Sequence, residues 1–185
     1  MPETRHVEGQ DSGASRWLER SRLDAQRIAN LQRCNYFKDQ IGSTEIPASP
    51  ELVFAWHEQP GAVEKLTPPW EKVEMVERGN GLRVGTRVVF KVFTGPIGQK
   101  WVAEHVEYDP PRLFADIQRQ GPFVYWYHRH RFEPTAAGTT LMIYDIEYEL
   151  PFGWLGELVG GGFTRAKLEK MFAYRHQVVQ DNFKK

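Results

Sequence analysis

The 185-residue chain carries 24 basic and 24 acidic side chains, so its formal net charge is zero. A balanced charge argues against nucleic acid as a partner, because binding to nucleic acid needs a basic excess. Cys34 is the only cysteine, which excludes an internal disulfide and favours a reducing compartment. No apolar run reaches the roughly 18 residues that span a bilayer, and residues 1–13 lack an apolar signal-peptide core. These features predict a soluble cytoplasmic protein without stable membrane insertion.

The N-terminal residues are expected to lie outside the main domain. Residues 1–14 are polar and contain glycine and serine, which predicts a disordered tail. Residues 15–33 have a candidate N-cap at Ser15 and a thin apolar stripe among many arginines, which predicts a helical extension. This helix would either pack on the domain surface or pair with a second copy of the chain as a homodimer. The remaining residues, 34–185, are assigned to one domain.

Residues 36–66 predict a strand followed by two short helices. Residues 36–46 alternate loosely and are rich in β-forming residues, which indicates a strand. Ser49-Pro50 is typical of an N-cap followed by proline at the first helical position, so we expect a helix over residues 51–57. A second short helix is expected over residues 62–66. The predicted apolar side of the first helix comprises Leu52, Val53 and Trp56.

From residue 70 onward, the hydrophobic pattern has the period of two that is typical of strands. Six strands are expected, at residues 70–78, 82–93, 99–108, 112–120, 123–132 and 139–150. Turn-forming residues separate them, and Gly79-Asn80-Gly81 between the first two is a hairpin signal. Consecutive strands joined by tight turns predict an antiparallel meander.

The strand predicted at residues 123–132 carries the most informative pattern. One face has Val124, Trp126, His128, His130 and Phe132, and the other has Phe123, Tyr125, Tyr127, Arg129 and Arg131. We expect the first face to point inward, because the two arginines on the other face must remain hydrated. Two histidines and an indole among apolar groups are typical of a mostly apolar pocket with a few polar anchors.

Neighbouring strands are expected to complete the pocket. Tyr144 and Tyr148 should face it, because the acidic residues that alternate with them must face water. Trp101 is placed at the cavity or on its rim. The register of residues 112–120 is open: either Asp116 and Gln118 face inward, or Leu113, Ala115 and Ile117 do. A further wall is expected from Val84, Thr86, Val88, Phe90 and Val92.

Residues 154–183 predict a long amphipathic helix, in one piece or two. Its apolar stripe comprises Leu168, Met171, Phe172, Val178, Val179 and Phe183. Gly160-Gly161-Gly162 lies early in this helix and indicates a kink, a boundary or a close approach, because each glycine costs about 1 kcal/mol relative to alanine. A helix at the end of the chain can cover the apolar face of the sheet.

Seven different short motifs lie along residues 36–183 in a characteristic order. They are Ile46-Pro47-Ala48-Ser49-Pro50, Val53-Phe54-Ala55-Trp56-His57, Gly121-Pro122-Phe123, His128-x-His130-x-Phe132, Gly138-Thr139-Thr140-Leu141, Tyr148-Glu149-Leu150-Pro151 and Phe172-Ala173-Tyr174-Arg175. The set resembles the helix-grip superfamily of START domains, polyketide cyclase/dehydrase-like proteins and birch-pollen-allergen-like proteins. Within that superfamily it resembles the small bacterial ligand-binding proteins of the SRPBCC group.

The resemblance implies an α+β helix-grip fold. Such a fold has a curved antiparallel sheet of about seven strands, two short helices after the first strand, and a long C-terminal helix over the concave face. It also implies a deep, mostly apolar cavity between the sheet and this helix, but no single chemistry. The domain at residues 34–185 is therefore expected to bind a ligand.

The predicted function is binding or transport of a hydrophobic or aromatic small molecule, lipid-like or polyketide-like. The residues expected to bind it are Trp101, Trp126, His128, His130, Phe132, Tyr144 and Tyr148. The alternative is a cyclase/aromatase-like or hydrolase-like enzyme with His128 or His130 as general base. Asp116 is a further catalytic candidate, because it would form an acid–base pair with a histidine if the two are buried side by side. A third possible class of function is a subunit-interaction module, for which the basic N-terminal helix is the only evidence.

No cofactor and no metal are predicted. His128 and His130 share a face and could both ligate a metal ion. A third ligand would have to come from Asp116, Glu104, His105 or His176, and no pattern in the sequence places one of these beside the two histidines.

Overall fold

The computed structural model describes residues 37–184 of the chain. The predicted tail at residues 1–14 and helical extension at residues 15–33 lie outside the described residues. The strands are β1 (Phe37–Ile46), β2 (Val73–Glu77), β3 (Arg87–Thr94), β4 (Ile97–Asp109), β5 (Leu113–Gln120), β6 (Tyr125–Pro134) and β7 (Thr140–Glu149). The helices are α1 (Pro50–His57), α2 (Ala62–Lys65) and α3 (Gly153–Phe183).

The seven strands form one antiparallel sheet in the order β1-β7-β6-β5-β4-β3-β2. Strands β2 to β6 are each paired with the next strand along the chain, as expected of a meander. Strand β1 pairs with β7 at the far edge, with an irregularity between Gln40 and Ser43. Gly42 lies in this irregularity with a φ of 104°, a backbone conformation that favours glycine.

The three helices occupy the positions that the sequence predicts. Helix α1 begins at Pro50 after Ser49. The chain before it is bound to the sheet, because Thr140 Oγ1 donates to the carbonyl of Ala48 at 2.7 Å. Helix α3 is continuous from Gly153 to Phe183 and packs on the sheet. Near its end, Gln180 Nε2 donates to Thr44 Oγ1 at 2.6 Å.

The hydrophobic core lies between the inner face of the sheet and the helices. Helix α3 contributes the buried apolar side chains Leu168, Phe172 and Val179, which belong to the predicted apolar stripe. The Phe172 ring lies 5.0 Å from the ring of Tyr144 on β7. The predicted α+β helix-grip architecture is thereby confirmed. Within residues 37–184, no helix is both long enough and apolar enough to cross a membrane.

Strands β3 and β6 begin later than the sequence pattern indicates. Strand β6 begins at Tyr125, so Val124 is 59% exposed rather than inward-facing, and Phe123 packs against the core instead. The cause is the preceding turn, which Gln118 holds through Nε2 donating to the carbonyl of Phe123 at 2.7 Å.

Strand β3 begins at Arg87, so the link from β2 covers residues 78–86 and is not a tight hairpin. Gly85 has a φ of 87° in this link, and Val84 is 60% exposed rather than part of an inner wall. The apolar side of α1 also differs from the prediction. Leu52 is 60% exposed, and the buried side consists of Val53, Phe54, Trp56 and His57.

The glycine run at residues 160–162 lies inside the continuous α3 and does not divide it. A β-carbon placed on Gly160 or Gly162 would have no atom within 4 Å, so no close approach requires glycine at these two positions. Nearby apolar side chains on the same part of the helix, Leu158, Val159 and Phe163, are exposed.

Candidate functional site

A cavity of about 390 Å³ lies between the inner face of the sheet and α3. Its wall comes mainly from β2 to β6, from α1 and α2, from residues 66–71, and from residues 163–175 of α3. Most of the lining side chains are apolar. The polar ones include a cluster of histidines beside Asp116 and Arg175, and a separate ion pair of Glu71 with Lys167. A mostly apolar cavity with a few converging polar groups is the usual form of a small-molecule site.

Aromatic rings on β3, β4 and β6 form one wall of this cavity. The Trp101 and Trp126 rings meet edge to face with centroids 5.3 Å apart. Phe90 stacks on Trp101 at 5.7 Å, and Phe123 lies 4.9 Å from Trp126. Rings held in this way offer both edges and faces to a planar ligand.

Four buried histidines form the polar cluster of the cavity. His128 and His130 point inward from β6 because they are two residues apart, and their ring centroids are 4.1 Å apart. His57 at the end of α1 lies 5.8 Å from His130. His105 on β4 reaches the same region, because its Cα pairs with that of Asp116 on β5 and Asp116 pairs with His128.

Burial keeps these histidines neutral near neutral pH. It lowers the pKa of His57 to about 4, and it lowers the pKa of His105, His128 and His130 below the ordinary value as well. Some of their ring nitrogens have no hydrogen-bond partner among the described residues. They are His57 Nε2, His105 Nδ1, His128 Nε2 and His130 Nδ1.

His128 and Asp116 form a defined pair inside the cavity. His128 Nδ1 lies 3.2 Å from Asp116 Oδ2. Because an ionised carboxylate can only accept a hydrogen bond, the neutral imidazole carries its proton on Nδ1. The lone pair on Nε2 of His128 is then free to accept a proton or a hydrogen bond from a ligand.

Arg175 of α3 is the main charged group beside this cluster. It borders the cavity, its Nε donates to the carbonyl of Leu66 at 3.2 Å, and its guanidinium lies 4.9 Å from the Phe172 ring. Burial lowers the pKa of Arg175. Even so, an arginine remains protonated at neutral pH because its unperturbed pKa is above 12.

Asp116, His128 and His130 could together hold a metal ion. Each offers one ligand atom, and these atoms lie within 4.8 Å of one another. Two imidazoles and a carboxylate suit zinc or non-haem iron. However, burial is the main cause that lowers the pKa of His128, Asp116 opposes that change, and the positive charge of Arg175 adds to it. The same positive charge of Arg175 opposes a divalent cation. The predicted absence of a metal remains a prediction.

The structure brings together some of the residues predicted to bind a ligand. Trp101, Trp126, His128 and His130 border the cavity, and Asp116 faces it, which resolves the open register of β5. Phe132, Tyr144 and Tyr148 are buried on the inner side of the sheet but do not border the cavity.

The other polar candidates lie elsewhere. Gln118 supports the turn before β6, as described above. Glu104 binds Arg87 at 2.6 Å and Arg119 at 2.8 Å, away from the histidines. His176 stacks on Tyr144 at 4.7 Å and does not border the cavity.

His57 and Arg175 border the cavity but were not predicted as site residues. Each had a signal in the sequence. Arg175 lies three residues after Phe172 and four before Val179, which places it on the apolar side of a helix. His57 follows Val53 by four residues and so shares its buried side.

The family comparison covers most of the described domain. Residues 46–172 match the model of the family described as polyketide cyclase/dehydrase and lipid transport. No curated protein sequence matches the chain.

Solved structures of similar fold come from several organisms. The Zhui aromatase/cyclase from Streptomyces sp. R1128 is 18% identical with a TM-score of 0.63, and the match covers 80% of this chain and 93% of that chain. The major latex-like protein from Panax ginseng is 15% identical with a TM-score of 0.56, and the match covers 81% of this chain and 99% of that chain. At these identities the likeness shows the fold.

A nucleoside-diphosphate sugar epimerase from Corynebacterium glutamicum is 28% identical with a TM-score of 0.61. The match covers 77% of this chain but only 28% of the epimerase chain. The chain therefore corresponds to about a quarter of that protein.

Proposed function

Because the chain belongs to the polyketide cyclase/dehydrase and lipid transport family, we propose that it binds a hydrophobic or aromatic small molecule, lipid-like or polyketide-like, in the cavity beneath α3. The observation that carries this proposal is the cavity itself, about 390 Å³ with a mostly apolar lining and a polar cluster of buried histidines beside Asp116 and Arg175. Burial of apolar ligand surface contributes a favourable binding free energy of about 25 cal/mol per Å² of surface removed from water. The polar cluster orients the polar atoms of the ligand.

The aromatic wall favours a ligand with at least one planar ring. Trp101 and Trp126 meet at nearly right angles, with an interplanar angle of 86°. A ring beside them can therefore stack on one indole while it meets the edge of the other. Such aromatic contacts add about 0.5 to 1.5 kcal/mol each beyond the area that they bury.

Ligand capture followed by a cavity-filling substitution tests the binding function. Native mass spectrometry of the protein purified from its own host, with extraction of the bound material, should identify a reproducible hydrophobic compound. Ala103 borders the cavity, so Ala103→Phe fills it and should abolish binding of that compound. Val102 precedes it on β4 and points to the other face, so Val102→Phe is the matched control. Unchanged binding by Ala103→Phe would show that the ligand sits elsewhere.

A second candidate function, proton-transfer catalysis on the bound molecule, is favoured by the pair of His128 and Asp116. In this role His128 Nε2 takes a proton from the ligand, and Asp116 stabilises the imidazolium that forms. This is the chemistry of a general base in a cyclase-like or hydrolase-like enzyme.

Replacement of His128 separates the two functions once a ligand is known. For an enzyme, His128→Gln removes the base and abolishes turnover while ligand affinity stays largely intact. For a carrier, the same substitution alters affinity or has no effect, and no product forms with the wild-type protein. Product analysis and a binding isotherm on both proteins provide the two readouts.

A further inference from the structure

Arg175 occupies an unusual position for a charged side chain. It lies on the side of α3 that packs on the sheet, between the fully buried Phe172 and Val179. Its side chain borders the apolar cavity instead of extending into solvent. Placing a charge in such a position is costly unless an opposite charge and hydrogen bonds compensate for it.

The carboxylates that border the cavity are already bound to other groups. Asp116 contacts His128 at 3.2 Å, and Glu71 forms an ion pair with Lys167 at 3.0 Å. Within residues 37–184, no carboxylate forms an ion pair with Arg175, and its Nε donates only to the Leu66 carbonyl. The two terminal amino groups of the guanidinium have no acceptor among these residues.

Burial lowers the pKa of Arg175 and the negative charge of Asp116 opposes this change, but Asp116 forms no ion pair with the guanidinium among the described residues. The neighbouring histidines are neutral, so they do not provide an anionic partner for the N–H groups of Arg175. A guanidinium with two free amino groups matches a carboxylate, which can accept two parallel hydrogen bonds from it. The polar end of the cavity therefore has the charge and the geometry of a carboxylate site.

We propose that the ligand carries a carboxylate that binds the guanidinium of Arg175, while its apolar or aromatic body lies against Trp101 and Trp126. This inference rests on the proposed function, since it requires a ligand in the same cavity. It narrows the class of ligand from hydrophobic molecules in general to hydrophobic acids, such as aromatic or polyketide-derived carboxylic acids.

Two probes of nearly equal shape test the charge requirement. Naphthoate carries a carboxylate, and acetylnaphthalene carries a neutral methyl ketone at the same ring position. Their dissociation constants are measured by equilibrium dialysis with the full chain at about pH 8, where the acid is ionised. We expect naphthoate to bind the wild-type protein about tenfold more tightly or better, because hydrogen bonds to charged groups are the stronger ones.

Two substitutions assign this preference to Arg175. Arg175→Gln should weaken naphthoate about tenfold and leave acetylnaphthalene unchanged. Arg129→Gln is the matched control, because Arg129 binds Glu107 at 3.2 Å and does not border the cavity. It should change neither dissociation constant. Circular dichroism verifies that both variants are folded.

The possible results distinguish a failure of the carboxylate inference from a failure of the proposed binding function. If the neutral probe binds and naphthoate binds no better, the carboxylate inference is overturned while the binding function stands. Equal weakening of both probes by Arg175→Gln overturns it too. If neither probe binds the wild-type protein, the aromatic binding function fails and the inference fails with it. The wild-type comparison decides the inference even if Arg175→Gln does not fold.

Discussion

Acidification should destabilise this protein at a higher pH than carboxylate protonation alone would. Burial lowers the pKa of both His57 and His176 to about 4, whereas an exposed histidine has a pKa of about 6.5. Between these values the unfolded chain binds a proton at each histidine and the folded chain does not. Lowering the pH through this window therefore favours unfolding.

The size of the effect follows from the two pKa values. Lowering the pH from about 7 to about 5 costs about 2 kcal/mol for each of these histidines, or about 4 kcal/mol together. Burial also lowers the pKa of His105, His128 and His130, so this figure is a minimum. It is a large fraction of the roughly 5 to 15 kcal/mol by which domains are stable.

Urea denaturation at a series of pH values, followed by tryptophan fluorescence, measures this dependence. The slope of the unfolding free energy against pH should correspond to at least two protons taken up on unfolding. His57→Phe removes one titrating group and should reduce the loss by about 2 kcal/mol. A free energy of unfolding that stays constant from about pH 7 to about pH 5 would refute the assignment of buried neutral histidines.

Three further predictions concern packing, helix geometry and metal binding. Phe172→Ala should lower the free energy of unfolding by about 3 to 5 kcal/mol, whereas the exposed Val159→Ala should change it by less than about 0.5 kcal/mol in the same denaturation assay. Gly156→Ala should destabilise the protein, because its β-carbon would clash with the backbone carbonyl oxygen of Pro151. Gly160→Ala should instead stabilise it by up to about 1 kcal/mol, and the opposite order of melting temperatures would contradict the helix geometry. Zinc chloride should leave the melting temperature unchanged, and a rise that His130→Gln abolishes would establish a metal site.

The fold could be predicted because its signals are local. Period-two patterns and turn residues located the seven strands, and the Ser49-Pro50 pair marked the start of α1. The resemblance read from short motifs is confirmed by the family match over residues 46–172. The inward face of β6 followed from hydration of Arg129 and Arg131, and Trp126, His128 and His130 are indeed buried.

The composition of the site could be predicted only in part, because it depends on how separate elements dock. The register of β5 is affected by irregularities in its pairing with β4, so the sequence left the direction of Asp116 open. His57 and Arg175 come from helices, and their place at the cavity depends on where those helices pack. Val84 and Val124 lie in connections, where the alternation of strand faces does not apply.

The unpaired ring nitrogens of the cavity have a consequence for selection experiments. A buried polar atom without a partner costs about 1 to 3 kcal/mol, so an apolar residue at such a position can make the protein more stable. A library selected only for heat resistance should therefore accumulate replacements at His57, His105, His128 and His130. The positions replaced in heat-resistant variants would then identify the polar part of the cavity without knowledge of the ligand, and these variants should bind the ligand less well.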